Sequence, residues 1–581
     1  MTYSEWLTSF ASDLRRGDIA AAANRFHDTS YWRDLVAFTW NIVTFESRTA
    51  IADMLEARLS DVRPDSFEVE GSDGWFTFAT SVGRGRGHIR LKDGRCHTLF
   101  TALMSLDGFE EASGPTREHG VEHGAIRGRR TWSDRRAADA SELGVTRQPF
   151  VLVVGGGQGG IGLGARLKRT GVPALIIDRL PRPGDAWRRR YKSLCLHDPV
   201  WYDHLPYLSF PDHWPIYTPK DKMGDWLEAY TQIMELDYWP ETACVRAAWD
   251  EQRHEWTVEV ERAGRPHILR PKHLVLATGM SGFPEMPRLP GAERFAGVQH
   301  HSSQHAGGEG WQGKSCVVVG SNNSAHDIAA DLWEHGAEVT MIQRSPTLVA
   351  RAETLARFRT LYSEAAVKAG VTTDHADLTV ASLPYALQPA AMRPTVEQMK
   401  HDDGAFYARL SAAGFKLTYG DDESGIGPMY ARRGSGYYID VGASELVANG
   451  EIKLCSGVEV ARLTEHAVVL TDGREIAADL VVYATGYGSM NQWAAALISR
   501  EVADKVGKCW GLGSQTAKDP GPWEGELRNM WKPTAQDGLW FHGGNLAQSR
   551  HYSRYLALQL KARLEGLPTP VYGRGPVYHK E

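Results

Sequence analysis

The sequence predicts an α/β chain with two parallel βαβ units and a small α+β domain ahead of them. Three observations carry this. Val151 to Asp178 reads as strand, glycine-rich turn, helix and strand, and Ser315 to Ser345 repeats that order. The first hundred residues instead pass from helical periodicity to strand alternation. At 581 residues the chain exceeds what one hydrophobic core supports, so several domains are expected.

Residues 1–113 are expected to form the α+β domain. An amphipathic helix starts behind Ser4, carries Trp6, Leu7, Phe10 and Leu14 on one side, and stops at Gly17. Helical sequence is expected to about Leu59, then strands over 66–69, 75–82, 88–91 and 95–106, with Asp93-Gly94 as a hairpin turn. Helices followed by a curled antiparallel sheet resemble the ketosteroid-isomerase-like cone. No carboxylate with a catalytic partner stands out, so a packing or dimerisation role is expected, and a homodimer is the candidate assembly. Residues 114–147, charged and glycine-rich, read as a linker. Gly120 and Gly124 disfavour a helix that would pair His119 with His123, so those histidines belong to a solvated loop and no metal site is expected.

Residues 148–310 open with the first unit. Gly155, Gly157 and Gly160 fill a G-x-G-x-x-G pattern after the strand Val151 to Val154. The first glycine turns the chain, the second admits a pyrophosphate to the backbone, and the third lets helix pack on strand. Phosphates then sit at the helix N-terminus. The helix closes at Gly171, and the strand 174–177 ends in Asp178, placed to accept from an adenosine ribose. Residues 179–230 are too irregular for regular structure and too apolar for a free loop, so they pack on a flat cofactor or along a domain seam. A helix through Tyr230, a small strand region at 256–260 and a strand at 274–277 follow, the last delivering Thr278-Gly279 to the nucleotide site.

The second unit occupies 311–477, with a strand at 316–319, a turn Gly320-Ser321-Asn322-Asn323-Ser324, a helix from Ala325 to His335 and a strand at 339–342. Asn322 stands for the second glycine and Ala325 for the third; asparagine tolerates the left-handed conformation expected there. Where the first unit ends in an acid, this one delivers Gln343-Arg344-Ser345. A guanidinium with a hydroxyl suits a 2′-phosphate, which selects NADPH over NADH. Residues 351–432 read as a helical insertion, followed by strands at 452–454, 458–463 and 467–470. Residues 478–581 repeat the strand-to-Thr485-Gly486 device and end in a strand, a Gly543-Gly544-Asn545 turn and a helix to about Leu564. That helix N-terminus is expected to face a flavin ring or its pyrophosphate edge.

Two nucleotide fingerprints in one chain are explained when a nicotinamide donates hydride to a bound flavin, so FAD and NADPH are the expected cofactors. The expected class is two Rossmann-like domains plus the cone. FAD is assigned to 148–310 with 478–581, and NADPH to 311–477. A net charge of −6 without a basic stripe excludes an electrostatic nucleic-acid binder. No stretch of 18 apolar residues and no signal-type start are present, so a cytoplasmic protein without a transmembrane segment is expected. Six scattered cysteines without Cys-x-x-Cys fit a reducing compartment and provide no redox dithiol.

From about Phe150 to Leu564 the chain resembles the class B flavin-dependent monooxygenases, closest to their YUCCA-type branch. Phe295-Ala-Gly297-Val-Gln-His-His301 matches the family's F-x-G-x-x-x-H signature, and Gly184-Asp-Ala-Trp187 sits at its glycine pair and tryptophan. Leu196-His197, Leu205-Pro206, Phe210-Pro211, Asn323-Ser324 and Asp479 to Tyr487 match the YUCCA-type segments. His305 stands where the signature ends in an aromatic residue. The resemblance implies a monooxygenase that takes electrons from NADPH and inserts one atom of O2 into a small organic substrate through a flavin hydroperoxide. Heteroatom oxygenation and oxygenation of a ketone or 2-oxo acid are the open subclasses. An NADPH oxidase or reductase, or a non-oxygenating redox sensor, is the alternative. It also implies Trp187 and His197 as cofactor neighbours and Asn323 with Ser324 as the link between nicotinamide and flavin. Asn323 and His301 are the candidate catalytic residues, His301 more as a coupling residue between domains than as a proton donor.

Overall fold

Thr2, not Ser4, caps the first helix of the computed structural model, which describes residues 1–120 and 123–579. Its hydroxyl accepts from the Glu5 N–H while the Glu5 carboxylate accepts from the Thr2 N–H, and Gly17 in the left-handed region ends the helix Tyr3–Arg16. The expectation of helical sequence to about Leu59 is corrected: Phe26–Leu35 and Ile42–Glu46 are strands, between the helices Ile19–Asn24 and Arg48–Val62. The reason is non-local. Phe26–Leu35 lies parallel to Arg95–Leu106, a partner that local periodicity does not reveal.

Six strands order across this sheet as Ile42–Glu46, Phe26–Leu35, Arg95–Leu106, Gly83–Lys92, Trp75–Ala79 and Asp65–Glu70. Lys92 pairs with Arg95 around the expected Asp93-Gly94 turn, both of whose residues have positive φ. The concave face is filled by rings: Trp6 stacks on Phe10 at 4.7 Å and Phe26 on Trp32 at 6.0 Å. Asp34, buried beneath them, is used by its own domain. Its carboxylate accepts from the hydroxyls of Thr39 and Thr101, while burial pushes its pKa up to about 6.

Arg33 fastens this domain to the rest of the molecule. Its guanidinium donates to both Glu526 oxygens at 2.6 and 2.8 Å, to the Ala381 carbonyl, and to Tyr552 Oη at 3.0 Å. Arg33 and Glu526 side chains are 1% and 2% exposed. Removing one partner of such a pair strands a buried charge, so Arg33→Ala should cost about 3–5 kcal/mol in denaturant unfolding. A cost below about 1 kcal/mol would mean that the seam does not depend on this pair.

Two five-stranded, all-parallel sheets form the body. The first orders Leu539–Phe541, His273–Leu276, Val151–Val154, Ala174–Ile177 and Tyr238–Trp239. The second orders Val298–His301, Leu480–Tyr483, Ser315–Val319, Glu338–Gln343 and Lys453–Ser456. Both have buried, near-continuous apolar strands, as helices on either face require. The small strand region is larger than its sequence signal: Thr242–Asp250, Glu255–Arg262 and Arg265–Leu269 make a three-stranded antiparallel sheet. Within the segment read as a linker, Thr131 caps a helix Trp132–Glu142.

The insertion is helical, with Thr373–Ala381, Gln388–Asp402 and Gly404–Ala412 among its elements, and it leaves and re-enters through paired strands Leu348–Arg351 and Tyr437–Asp440. Asp377 on the first of those helices holds Arg550 of the helix Leu546–Leu564 with two bonds of 2.7 and 2.8 Å. No helix among the described residues is long and apolar enough to cross a membrane.

Candidate dinucleotide-binding site

The three glycines of the first turn are used differently. Gly155, at φ +111, lies so close to strand His273–Leu276 that a Cβ would be 2.4 Å from the Ala277 carbonyl. A Cβ on Gly160 would be 1.9 Å from the Gly155 carbonyl, so helix Gln158–Arg169 meets the turn backbone to backbone. On Gly157 a Cβ would meet nothing within 4 Å. Two glycines serve the fold, and the third keeps the helix N-terminus approachable for an anion.

Asp178 ends the neighbouring strand and braces the turn, its Oδ2 accepting from the Gly156 N–H at 2.6 Å and its Oδ1 from the Leu180 N–H at 2.9 Å. An ionised carboxylate has about four acceptor positions, so capacity for ribose hydroxyls remains. Trp187 donates from Nε1 to Gln158 Oε1 at 3.2 Å, within the first helical turn. Gly544, at φ +99, and Asn545 form the turn before Leu546–Leu564; Asn545 caps that helix through Gln548 and donates from Nδ2 to Tyr202 Oη at 3.1 Å. This helix packs along Gln158–Arg169, bringing the two N-termini to the same side of the sheet.

The second turn follows the same plan with one correction. Gly320, at φ +132, would place a Cβ 2.5 Å from the Ala484 carbonyl, and Ala325 is buried at the third position. Asn322, however, sits at φ −97 and ψ −169, extended rather than left-handed, so its conformation needs no special tolerance. The helix starts at Asn323, two residues ahead of the expected Ala325. Ser321 Oγ lies 2.7 Å from Thr347 Oγ1. Asn323 Oδ1 accepts from the Ile439 N–H at 2.9 Å, tying the turn to the strand that returns from the insertion, and Ser324 is half-buried beside it. Gln343 is buried and spends its amide on the Lys416 backbone. Arg344 and Ser345 are exposed, and the Arg344 side chain is 61% accessible, with Glu459 4.0 Å from its guanidinium.

His301 ends the edge strand of the second sheet, and its partner Gly486, on the neighbouring strand's exit, also accepts from the Glu285 N–H of the segment that leaves the first sheet. His301 is 2% exposed, and burial lowers its pKa, so the ring is neutral. Its Nδ1 accepts from the Ser303 N–H at 3.1 Å, and Nε2 therefore carries the proton it donates to the Gly486 carbonyl at 3.0 Å. Both nitrogens are occupied. Thr485 Oγ1 donates to the Glu285 carbonyl at 2.6 Å, and Gly279 and Gly486 both take positive φ where their strands leave the sheets. His305, in the place of an aromatic residue, is itself a buried planar ring, pushed down to about 4 by burial. The segment after Asp178 packs along the domain seam: Tyr191 Oη donates to Asp327 Oδ2 at 2.6 Å, and burial raises the pKa of Asp327, an effect that the Tyr191 bond and nearby half-buried His197 oppose.

Several polar atoms near these strand ends are buried and have no hydrogen-bond partner among the described residues: Thr278 Oγ1, Tyr487 Oη, Trp493 Nε1 and both amide atoms of Asn491. They are neighbours. A Cβ on Gly282 would be 2.2 Å from the Thr278 carbonyl and 3.0 Å from Trp493 Nε1, while Tyr487 bridges to Pro284. Met490, next to Asn491, lies beside Gly543. Buried polar atoms normally find partners, and this mixture of donors and acceptors suits a planar ring with both, as a flavin has. Of the set, Thr278 and Tyr487 fall in motifs legible in the sequence; Asn491 and Trp493 follow in residues with no motif spacing. His542, also missed, is a buried neutral ring against Gly159, its pKa pushed down to about 4.

Comparison with known proteins places this geometry. The family model described as pyridine nucleotide-disulphide oxidoreductase matches residues 152–388. No disulfide is formed among the described residues. The indole-3-pyruvate monooxygenase YUCCA1 of Oryza sativa subsp. japonica is 30% identical over 374 residues, covering 63% of this chain and 84% of that protein. The probable indole-3-pyruvate monooxygenase YUCCA3 of Arabidopsis thaliana is 29% identical, covering 58% of this chain and 73% of its own. Among solved structures, ε-caprolactone-bound cyclohexanone monooxygenase in its loose conformation superimposes with a TM-score of 0.50 at 16% identity, over 72% of this chain and 88% of that one. This last likeness is one of fold.

Proposed function

The chain belongs to the YUCCA-type flavin-dependent monooxygenase family, and from that premise we propose that it uses FAD and NADPH to insert one atom of O2 into a small organic substrate bearing a heteroatom, a ketone or a 2-oxo acid. The observation that carries this reading is the pair of glycine turns at the carboxyl ends of two parallel sheets, coupled where the Gly486 carbonyl accepts from both His301 and the Glu285 N–H. Bound FAD supplies electron acceptance from the nicotinamide and the activation of dioxygen.

The chain's own residues bind and orient. Gly157 and the N-terminus of Gln158–Arg169 take the FAD pyrophosphate, and Asp178 its ribose. Thr278, Tyr487, Asn491 and Trp493 supply the polar partners of the flavin ring. Arg344 with Ser345 takes the 2′-phosphate of NADPH, and the Asn323-Ser324 turn aligns the nicotinamide side. Arg359, paired with Asp198 and 5.0 Å above the Tyr202 ring, brings the insertion over the Asn545 turn, so that water is kept from the reacting edge.

The experiment is incorporation of label from 18O2 during NADPH turnover with panels of amines, sulfides, ketones and 2-oxo acids. One labelled oxygen in a product supports the reading. Stoichiometric peroxide with no labelled product would assign an oxidase, and failure of NADPH to bleach the bound flavin would assign a sensor. His301 acts as a positioning residue. His301→Phe keeps a ring but deletes the bond to Gly486, so FAD content should hold while anaerobic reduction by NADPH slows about 10- to 100-fold. An unchanged reduction rate removes His301 from the coupling.

A further inference from the structure

The N-terminal domain, residues 506–535 and the C-terminal segment 572–579 meet around a cavity of about 80 Å³. Its charged lining consists of Lys508, Glu524, Arg528, Lys532 and Arg574, with the His579 ring beside them. None of the glycine-turn residues lines it, so it is separate from both dinucleotide cradles.

The charge at this seam does not balance. Arg528 has its counter-charges, with Asp519 Oδ1 at 2.8 Å and Glu524 Oε1 at 2.5 Å. Glu526 and Glu524 both act electrostatically on Lys532, but Glu526 is committed to Arg33 through both oxygens and Glu524 to Arg528. Among the described residues, no carboxylate comes within ion-pair distance of Lys508, Lys532 or Arg574. The Lys532 ammonium has one acceptor, the Ile42 carbonyl at 3.4 Å, and Arg574 reaches only the Thr534 carbonyl at 3.0 Å. An ammonium has three donors and a guanidinium five, so most donors of these two groups remain for another partner. Burial also depresses the pKa of Lys532, the sign of a desolvated cation. Half-buried Lys508 and Lys532 beside exposed Arg574 make a concentration of positive charge, and an oxyanion offsets that repulsion with charge-assisted hydrogen bonds.

We propose that this seam binds a phosphoryl group through Lys508, Lys532 and Arg574. A single water needs roughly 10–15 Å³ of such space, so the cavity takes a tetrahedral oxyanion but not a nucleotide. Either inorganic phosphate or the head of a phosphomonoester, with its organic part outside, has this chemistry. The site exists only when the three segments are together. Asn41 Nδ2 donates to the Tyr572 carbonyl at 3.0 Å and the Tyr572 N–H to the Thr39 carbonyl at 2.9 Å, so the N-terminal domain holds the segment that carries Arg574. Binding therefore strengthens the docking of that domain.

The test uses the full-length holoenzyme with saturating NADP+, so that both dinucleotide phosphate sites are filled. Inorganic phosphate and phenyl phosphate are titrated by calorimetry and thermal shift against chloride at constant ionic strength. Saturable binding with a rise in Tm is expected, and Lys532→Met and Arg574→Gln should each weaken it at least about tenfold while flavin content and reduction by NADPH stay unchanged. Tighter binding of phenyl phosphate assigns a phosphomonoester, and tighter binding of phosphate assigns the free ion. No saturable binding, or wild-type affinity in Arg574→Gln, whose exposed side chain is not needed for folding, overturns the proposal.

Discussion

Gly157→Ala should leave a protein within about 1 kcal/mol of wild-type stability that no longer retains flavin. The backbone there is extended, at φ −79, and a Cβ meets nothing within 4 Å, so neither strain nor overlap opposes the fold. The new methyl group instead occupies the closest approach of a pyrophosphate to the helix N-terminus. A loss of affinity of about 100-fold, or roughly 3 kcal/mol, is expected, read as flavin released on gel filtration and as the dissociation constant of the apoprotein. Gly160→Ala provides the contrast. Its Cβ would lie 1.9 Å from the Gly155 carbonyl, a backbone atom that has nowhere to retreat, so stability falls together with flavin binding. Such overpacking costs about 1–3 kcal/mol. Full flavin content in Gly157→Ala would mean that the cofactor phosphates do not sit on this turn.

Arg344→Ala is expected to raise the NADPH concentration for half-maximal anaerobic flavin reduction about tenfold and to leave the NADH value within about twofold. The side chain is 61% exposed with Glu459 4.0 Å from its guanidinium, so it is available to a 2′-phosphate but also open to screening. The effect should accordingly shrink as salt is raised from about 0.01 to 1 M, where the Debye length falls from roughly 30 to 3 Å. Equal changes for both nucleotides would sink the 2′-phosphate assignment and leave Gln343 no better as a substitute, because its amide is already committed to the Lys416 backbone.

The nucleotide turns were legible because their requirements are local. A glycine facing a carbonyl, a helix N-terminus and a strand-ending side chain leave fixed spacings, and Gly155, Gly160, Gly320 and Ala325 stand in the structure where those spacings place them. Asn322 shows the limit of the same reasoning: a rule about the left-handed region was applied to a residue whose φ is −97. The strand Phe26–Leu35 was misread for a different reason. Its stability comes from pairing with Arg95–Leu106, some seventy positions along the chain, and a short stretch of mixed polarity does not encode its partner.

What the sequence by itself determined was the pair of parallel βαβ units, the positions of their phosphate turns and the contrast between Asp178 and Arg344 at the strand ends. Short-range covalent geometry imposes each of these. Only the tertiary structure decided which polar groups are left without protein partners and which charges are left without counter-ions. Thr278 gathers with Tyr487, Asn491 and Trp493 from a segment some two hundred positions away, and Lys508, Lys532 and Arg574 gather at a seam closed by the N-terminal domain. Burial and Coulomb interaction depend on distance through space, and that distance is set by packing rather than by position in the chain.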